Sequence, residues 1–270
     1  LRRSSAASDV YKRQIRILMA CIRLLTLIGI IYCQDDHYFI KDLEIEGNES
    51  ISKNEILFVV RQRPPNFFFR RPKFDPRLLR LDALTLKNYY YSKGFLDVVI
   101  NESYHVKDNL NKNKFVDILY EVVEGKQYHL SKVHITGNDL ISKKKITKIL
   151  GLKIDSPYNP VGLNDNLYLL ENEYQNLGKL FAKINVKDEI KDSVEIKIDI
   201  DEGKYIYINN TRIEKKGNID SEIVFRELNY DSGDLFSKIK VDKSSKQLRE
   251  LGIFSKANIY PERSSISDTL

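Results

Sequence analysis

From Tyr38 onward, apolar and polar positions fall into a pattern that is written more than once. Residues 38–56 place Tyr38, Ile40, Leu43 and Ile45 ahead of Gly47-Asn48, followed by Ile51-Ser52 and Ile56. Ninety positions later stand Tyr128, Leu130, Val133 and Ile135, then Gly137-Asn138, Ile141-Ser142 and Ile146. A further offset of 78 carries Glu124-Gly125-Lys126 onto Glu202-Gly203-Lys204 and Leu130 onto Ile208. The same offset carries Ile135 onto Ile213 and Ile141-Ser142 onto Ile219-Asp220, with Gly217-Asn218 lying two residues late. Repetition on this scale makes each copy one supersecondary unit.

Each copy spells the same order of elements. A strand ends at Gly-Asn, a turn pair that tolerates positive φ. A helix follows, capped by Ser52, Ser142 or Asp220, and Ser52-Lys53-Asn54-Glu55 reads as a capping box. A second helix shows helical spacing in Leu163, Leu167, Leu170, Tyr174 and Leu177, and it stops at Gly94, Gly178 or Gly252. Two strands come last. In the second copy Leu180, Ala182, Ile184 and Val186 alternate with polar neighbours. So do Val194, Ile196, Ile198 and Ile200, set against Glu195, Lys197, Asp199 and Asp201. Period-two alternation buries one face of a sheet and wets the other. The predicted fold is α+β: tandem β-α-α-β-β repeats, each a three-stranded sheet covered on one face by two helices. The domains are expected at residues 37–124, 125–202 and 203–270, the last ending before its final strand.

Charge changes the picture less than it promises. The chain carries +6, which points to nucleic acid or an anionic membrane. Residues 1–34 hold Arg2, Arg3, Lys12, Arg13, Arg16 and Arg23 against Asp9, which leaves +1 for the body. Both cysteines, Cys21 and Cys33, also lie in those first residues, so the body has neither a disulfide framework nor a cysteine metal site.

The N-terminus reads as an address. Met-Ala-Cys-Ile-Arg from Met19 runs into Leu24-Leu25-Thr26-Leu27-Ile28-Gly29-Ile30-Ile31, a basic region and an apolar core of secretory type, so residues 15–34 are expected to be a signal peptide. An uncleaved anchor and a lipid-modified Cys33 are the other readings. Ser4 to Gln14 resembles translated sequencing-adapter read-through. Residues 1–14 are therefore set aside, and Met19 reads as a natural start.

The strand–helix–helix–strand–strand order resembles the POTRA (polypeptide-transport-associated) domain. The resemblance rests on Gly-Asn after the first strand, the Ile-Ser helix start and the closing Glu-Gly, with Tyr90–Phe95 and Tyr174–Lys179 the most family-like stretches. With a signal peptide ahead of tandem copies, the chain is similar to the periplasmic part of the BamA/TamA outer-membrane assembly family, in which a membrane β-barrel follows. The resemblance implies a non-catalytic protein of the bacterial envelope, secreted to the periplasm and attached to the outer membrane through that barrel. It implies unfolded outer-membrane protein clients and other assembly-complex subunits as partners. It also makes the second strand of each copy an open edge that takes client strands by β-augmentation. Those edge residues are Phe95, Leu96, Asp97, Val98 and Val99; Leu180, Phe181, Ala182, Lys183 and Ile184; and Phe254, Ser255, Lys256 and Ala257.

The first copy departs from the pattern with a longer inter-helix segment, Arg61–Pro76, containing Phe67, Phe68, Phe69, Arg70 and Arg71. Two readings stay open: contact with a membrane surface or partner, or phenylalanines that fill the domain's own core. No catalytic constellation is legible. His37, His105, His129 and His134 lack metal-ligand spacing, and no phosphate loop or nucleophile motif is present. No cofactor or metal is expected. A division-type envelope scaffold with an uncleaved anchor is an alternative. A KH-like nucleic-acid module is weaker, because the body lacks a Gly-x-x-Gly clamp and is near neutral.

Overall fold

Twelve elements are described, in the predicted order through the first two copies, while the strand expected to open the third copy is reduced to a single bridge at Tyr207. The computed structural model describes residues 38–66, 72–108, 114–214, 220–254 and 256–262. They comprise β1 (Tyr38–Glu46), α1 (Lys53–Val59), α2 (Pro76–Ser92), β2 (Val99–Asp108), β3 (Lys114–Val123), β4 (Leu130–Thr136), α3 (Lys143–Ile149), α4 (Pro160–Asn176), β5 (Lys183–Ile190), β6 (Val194–Asp201), α5 (Ser221–Arg226) and α6 (Lys238–Glu250). The leader, the Phe67–Arg71 run, Gly217-Asn218 and Ser255 lie outside the described residues. Contacts divide the chain into two compact units, residues 1–86 with 100–122, and residues 87–99 with 123–270.

The first unit is built on a sheet of order β1-β3-β2. β1 runs parallel to β3, with a register shift between Ile40 and Asp42. Ile40, Leu43 and Ile45 on β1 and Val116, Ile118, Tyr120 and Val122 on β3 point into the core, where Ile56 of α1 and Leu79, Ala83 and Leu86 of α2 are also buried. The Ser52 cap is the predicted box: Glu55 N–H donates to Ser52 Oγ, and Ser52 N–H donates to the Glu55 carboxylate, both at 3.3 Å. Two polar side chains, Asp82 and Gln62, are buried in this unit. The fully buried Asp82 carboxylate accepts from the backbone N–H of Arg61 and Gln62 at 2.9 Å each. Gln62 Oε1 in turn accepts from Asp75 N–H at 3.2 Å. Both ends of the long first-copy segment are therefore pinned from below.

The second unit repeats the plan with order β4-β6-β5. β4 is parallel to β6 and shows the same register shift, here between Leu130 and Lys132. β5 and β6 form an antiparallel hairpin running from Lys183↔Asp201 to Ile190↔Val194. Leu130, Ile135, Val194, Ile196, Ile198 and Ile200 of the sheet join Ile146 and Leu150 of the α3 turn and Leu163, Leu170 and Tyr174 of α4 in one core.

The Gly-Asn pairs now have a cause. A Cβ on Gly47 would lie 2.0 Å from the Val122 carbonyl oxygen, and one on Gly137 2.0 Å from that of Ile200. Only glycine lets the chain leave its strand this close to the neighbouring one. The asparagine amide then donates to the carbonyl ahead of the helix, Asn48 to Ile51 and Asn138 to Ile141, each at 2.9 Å.

The third copy is carried by the same unit. Ile206, Ile208, Tyr230, Phe236 and Val241 form a small cluster of their own, with α5 capped by Asp220 as expected. The strand expected at Phe254–Ala257 is a correction: Phe254 and residues 256–260 have no strand pairing. An extended segment becomes a strand only with a ladder partner, and none of the described residues supplies one.

Candidate functional site

In a three-stranded sheet both outer strands have an edge, so the question is which edge is open. The segment between the two helices of each copy answers it. In the first unit it runs back along β1: Ile40 N–H donates to the Pro72 carbonyl at 2.8 Å, and Phe74 N–H to that of Tyr38 at 2.9 Å. In the second unit Leu130 N–H donates to Ser156 O at 3.0 Å, Asp155 N–H to Leu130 O at 2.8 Å and Tyr158 N–H to Tyr128 O at 2.9 Å. The third copy does likewise, with Ile208 N–H on Asp234 O at 2.8 Å and Phe236 N–H on Ile206 O at 2.8 Å. β1 and β4 are thus capped along their outer sides by short antiparallel bridges, and Tyr207 makes the matching bridge to Leu235 in the third copy. Among the described residues β2 and β5 are the outer strands without such a cap.

β5 is the better defined of the two. Ile184 and Val186 pack onto the core below, while Lys183, Asn185 and Lys187 are exposed. Its eight residues extend about 27 Å and present every second N–H and C=O outward. The strand is held from beneath. Buried Tyr158 donates its hydroxyl to the Asp188 carboxylate at 3.1 Å, and burial first, then the Asp188 charge, pushes the tyrosine pKa up. Lys197 of β6 pairs with Glu189, which holds that carboxyl below its ordinary range and raises the lysine.

The sequence set the start of the first edge four residues too early and that of the second three. Of its candidates, Val99, Lys183 and Ile184 lie in the strands. Phe95, Leu96, Asp97 and Val98 instead build the junction to the next copy. Phe95 is buried and bridges to Gln127. Leu96 packs on the second copy's core. Asp97 accepts from the Tyr128 hydroxyl at 2.8 Å, and the Gly94 carbonyl accepts from Tyr128 N–H at 2.8 Å. Leu180, Phe181 and Ala182 form the matching turn, with Leu180 packed on the third copy's cluster and Ile206 N–H donating to the Gly178 carbonyl at 2.9 Å. The physical reason is shared: after the glycine that ends the helix, the chain must serve the next copy before it can pair in its own sheet.

The same junctions hold the family-like stretches Tyr90–Phe95 and Tyr174–Lys179 and the closing Glu-Gly pairs. Tyr90, wholly buried, donates to Glu124 at 3.0 Å and so ties the Tyr-x-x-x-Gly motif to the closing Glu-Gly. Burial, then Glu124, raises its pKa. Tyr174 holds the matching place, but its hydroxyl has no hydrogen-bond partner among the described residues. Glu202 accepts from Leu140 N–H at 2.8 Å instead. Lys179, nearly buried, donates to the Gly203 carbonyl at 2.8 Å and lies 3.8 Å from the Tyr205 ring centroid.

Known proteins share this architecture. The family model for POTRA, described as a surface antigen variable number repeat, matches residues 38–125 and 128–203. The outer membrane protein assembly factor BamA of Nitratidesulfovibrio vulgaris is 24% identical over 231 residues, covering 82% of this chain and 29% of that protein. BamA of Buchnera aphidicola is 25% identical over 238 residues, covering 84% of this chain and 37% of its own length. The chain thus spans well under half of these relatives. The crystal structure of POTRA domains 3–5 of Haemophilus influenzae BamA superposes with a TM-score of 0.62 at 18% identity, covering 86% of this chain and 93% of that one. The two matched repeats, their shared bulge and their sheet order place the chain in the POTRA family, to which it belongs as a tandem member.

Proposed function

We propose that this chain is the periplasmic polypeptide-binding part of an outer-membrane protein assembly factor, capturing extended client segments along β2 and β5. The observation that supports this reading most is the asymmetric capping of the sheets. β1 and β4 are sealed by their inter-helix segments, while among the described residues the outer sides of β2 and β5 carry no such cap. Backbone pairing of this kind is largely indifferent to client sequence. Each site is expected to bind weakly, and tandem sites raise the effective concentration of a second encounter. In the relatives a client would pass on to a membrane-embedded part, and the same role is proposed here, with other assembly subunits as partners. The proposed domain limits are residues 37–124, 125–202 and 203–270, with 15–34 as the secretion signal and 1–14 foreign to the natural protein.

The test uses a photo-crosslinking side chain placed at Asn185 or Lys187 of β5, and separately at Lys132 of β4, against an unfolded outer-membrane protein segment. Crosslinks from β5 and not from β4 are expected. Equal crosslinking from both positions, or none from β5, would overturn the reading.

A further inference from the structure

The helix side of the first unit carries a surface that client capture does not use. Along α2, Pro76, Arg77, Arg80, Leu81 and Leu84 line one shallow depression. Leu81 is 49% exposed and Leu84 55% exposed, next to a largely exposed Arg77. Large apolar side chains this exposed, alternating with guanidinium groups on a convex helix, are not core residues that missed their place. Leu79, Ala83 and Leu86 of the same helix are buried, so the helix has satisfied its core and still presents leucines outward.

Two further observations say what the surface meets. The first is charge polarity within the unit. Asp42, Glu44 and Glu46 on β1 and Asp117 and Glu121 on β3 fall out of phase with the buried positions of their strands. They therefore line the sheet face opposite the helices, where Lys107 pairs with Asp117. The unit is acidic on its open sheet face and basic on its helix side, which orients it in an external field. The second is internal to the repeat. Carrying the stripe onto α4 by the offset that superposes Tyr90 on Tyr174 gives Val161, Asn164, Asp165 and Tyr168, with no cation among them. The third copy places Leu235, Lys238, Ile239 and Asp242 there, with the lysine paired to the aspartate, so two cations beside exposed leucines mark the first copy.

We infer that the α2 stripe of the first unit docks on an anionic lipid surface, with Leu81 and Leu84 entering the interface and Arg77 and Arg80 meeting lipid phosphates. Leucine beside arginine on an exposed helix face is the chemistry of interfacial binding. A partner helix would need a groove between elements to lie in, and this depression is lined by a single helix. A two-fold contact with a second copy would set arginine against arginine. Arg77 is held by Asp75 at 3.2 Å, an exposed pair that exchanges readily for a phosphate. Arg80 has no ion-pair partner among the described residues.

The chain has no tryptophan, so Leu84→Trp gives a single reporter on the stripe, and Tyr168→Trp gives its control on α4. The full chain is mixed with vesicles of equimolar phosphatidylglycerol and phosphatidylcholine, or of phosphatidylcholine alone. Emission from position 84 is expected to move to shorter wavelength on the anionic vesicles only, and to revert as ionic strength rises. Emission from position 168 should stay unchanged. Adding Arg77→Gln and Arg80→Gln to the reporter chain should weaken the contact about fivefold each. No shift at position 84 would overturn the inference, as would equal shifts at both positions or a response that ignores the arginines. A shift that grows with protein concentration without vesicles would assign the face to a second copy instead. Crosslinking along β5 is read separately, so either result can fail without the other.

Discussion

Tyr90 and Tyr174 occupy the same place in two copies of one motif, yet removal of their hydroxyls should have unequal effects. In Tyr90→Phe, a hydrogen bond of 3.0 Å to a carboxylate is lost inside the protein, between a side chain with no exposed surface and one that is 9% exposed. Hydrogen bonds to charged groups contribute about 1.5–3 kcal/mol, and the ring itself is unchanged. Tyr174→Phe removes a buried hydroxyl that lies near the Glu202 carboxylate but makes no well-formed hydrogen bond among the described residues. Burying such a group is unfavourable, so its loss should be neutral within about 0.5 kcal/mol, or stabilising by up to about 1 kcal/mol. Both residues belong to the same compact unit, so one assay reads both. Urea unfolding followed by far-ultraviolet circular dichroism should give Tyr90→Phe a midpoint lower by roughly 0.5–1 M, taking a slope of about 3 kcal/mol per molar. The Tyr174→Phe midpoint should be equal or higher. If the second substitution costs as much as the first, the contrast drawn between the two junctions is wrong.

Two other outcomes follow from the same coordinates. Gly137→Ala would push a Cβ to 2.0 Å from the Ile200 carbonyl oxygen at φ +73, whereas Gly233→Ala at φ +91 meets nothing within 4 Å. The first should cost more than about 4 kcal/mol and the second about 1–2 kcal/mol, read as the difference in thermal or urea midpoints; similar losses at both sites would contradict the close approach. Tyr90, Tyr120, Tyr158 and Tyr174 all have their pKa raised, chiefly by burial. Their contribution to stability is therefore intact below the unfolded value of about 10 and declines as pH rises above it, because the unfolded chain then loses protons that the folded one keeps. A subset of the 16 tyrosines should ionise only together with loss of helical signal, and uniform titration near pH 10 with intact structure would refute this.

Much of the architecture is legible in the residues because local chemistry and tertiary need agree. Ser52 and Ser142 cap the helices they precede, and Val194 to Ile200 alternate because one face of β6 is covered. The edge was misread where the two diverge. Leu96 and Leu180 keep the phase of the strand that follows, but their apolar character serves the next copy. A period-two pattern cannot tell a side chain buried under its own sheet from one buried by a neighbour. The capping segments were missed because a bridge of two or three backbone bonds imposes no side-chain period. One signal did exist: an aromatic residue, Phe74, Tyr158 or Phe236, stands two positions ahead of each second helix. Asp82 was hidden for another reason, since a carboxylate within a helical pattern reads as solvent-facing unless its backbone partners are known.

The Gly94 and Gly178 carbonyls, each accepting an N–H from the following copy, change what counts as a module. The written period closes at Glu-Gly, but the compact unit that holds the second copy begins at Lys87, inside the helix of the copy before it. That unit takes in residues 87–99 and leaves residues 100–122, nearly all of β2 and β3, with the first. A fragment cut at Gly125 would discard Leu96 and with it part of the packing around the second core. One begun ahead of Lys87 would keep the contacts the second copy draws from its predecessor. For anyone shortening, swapping or concatenating these copies, Gly125 is therefore no clean joint: residues 87–99 belong with the copy that follows, while the two strands after them belong with the copy before.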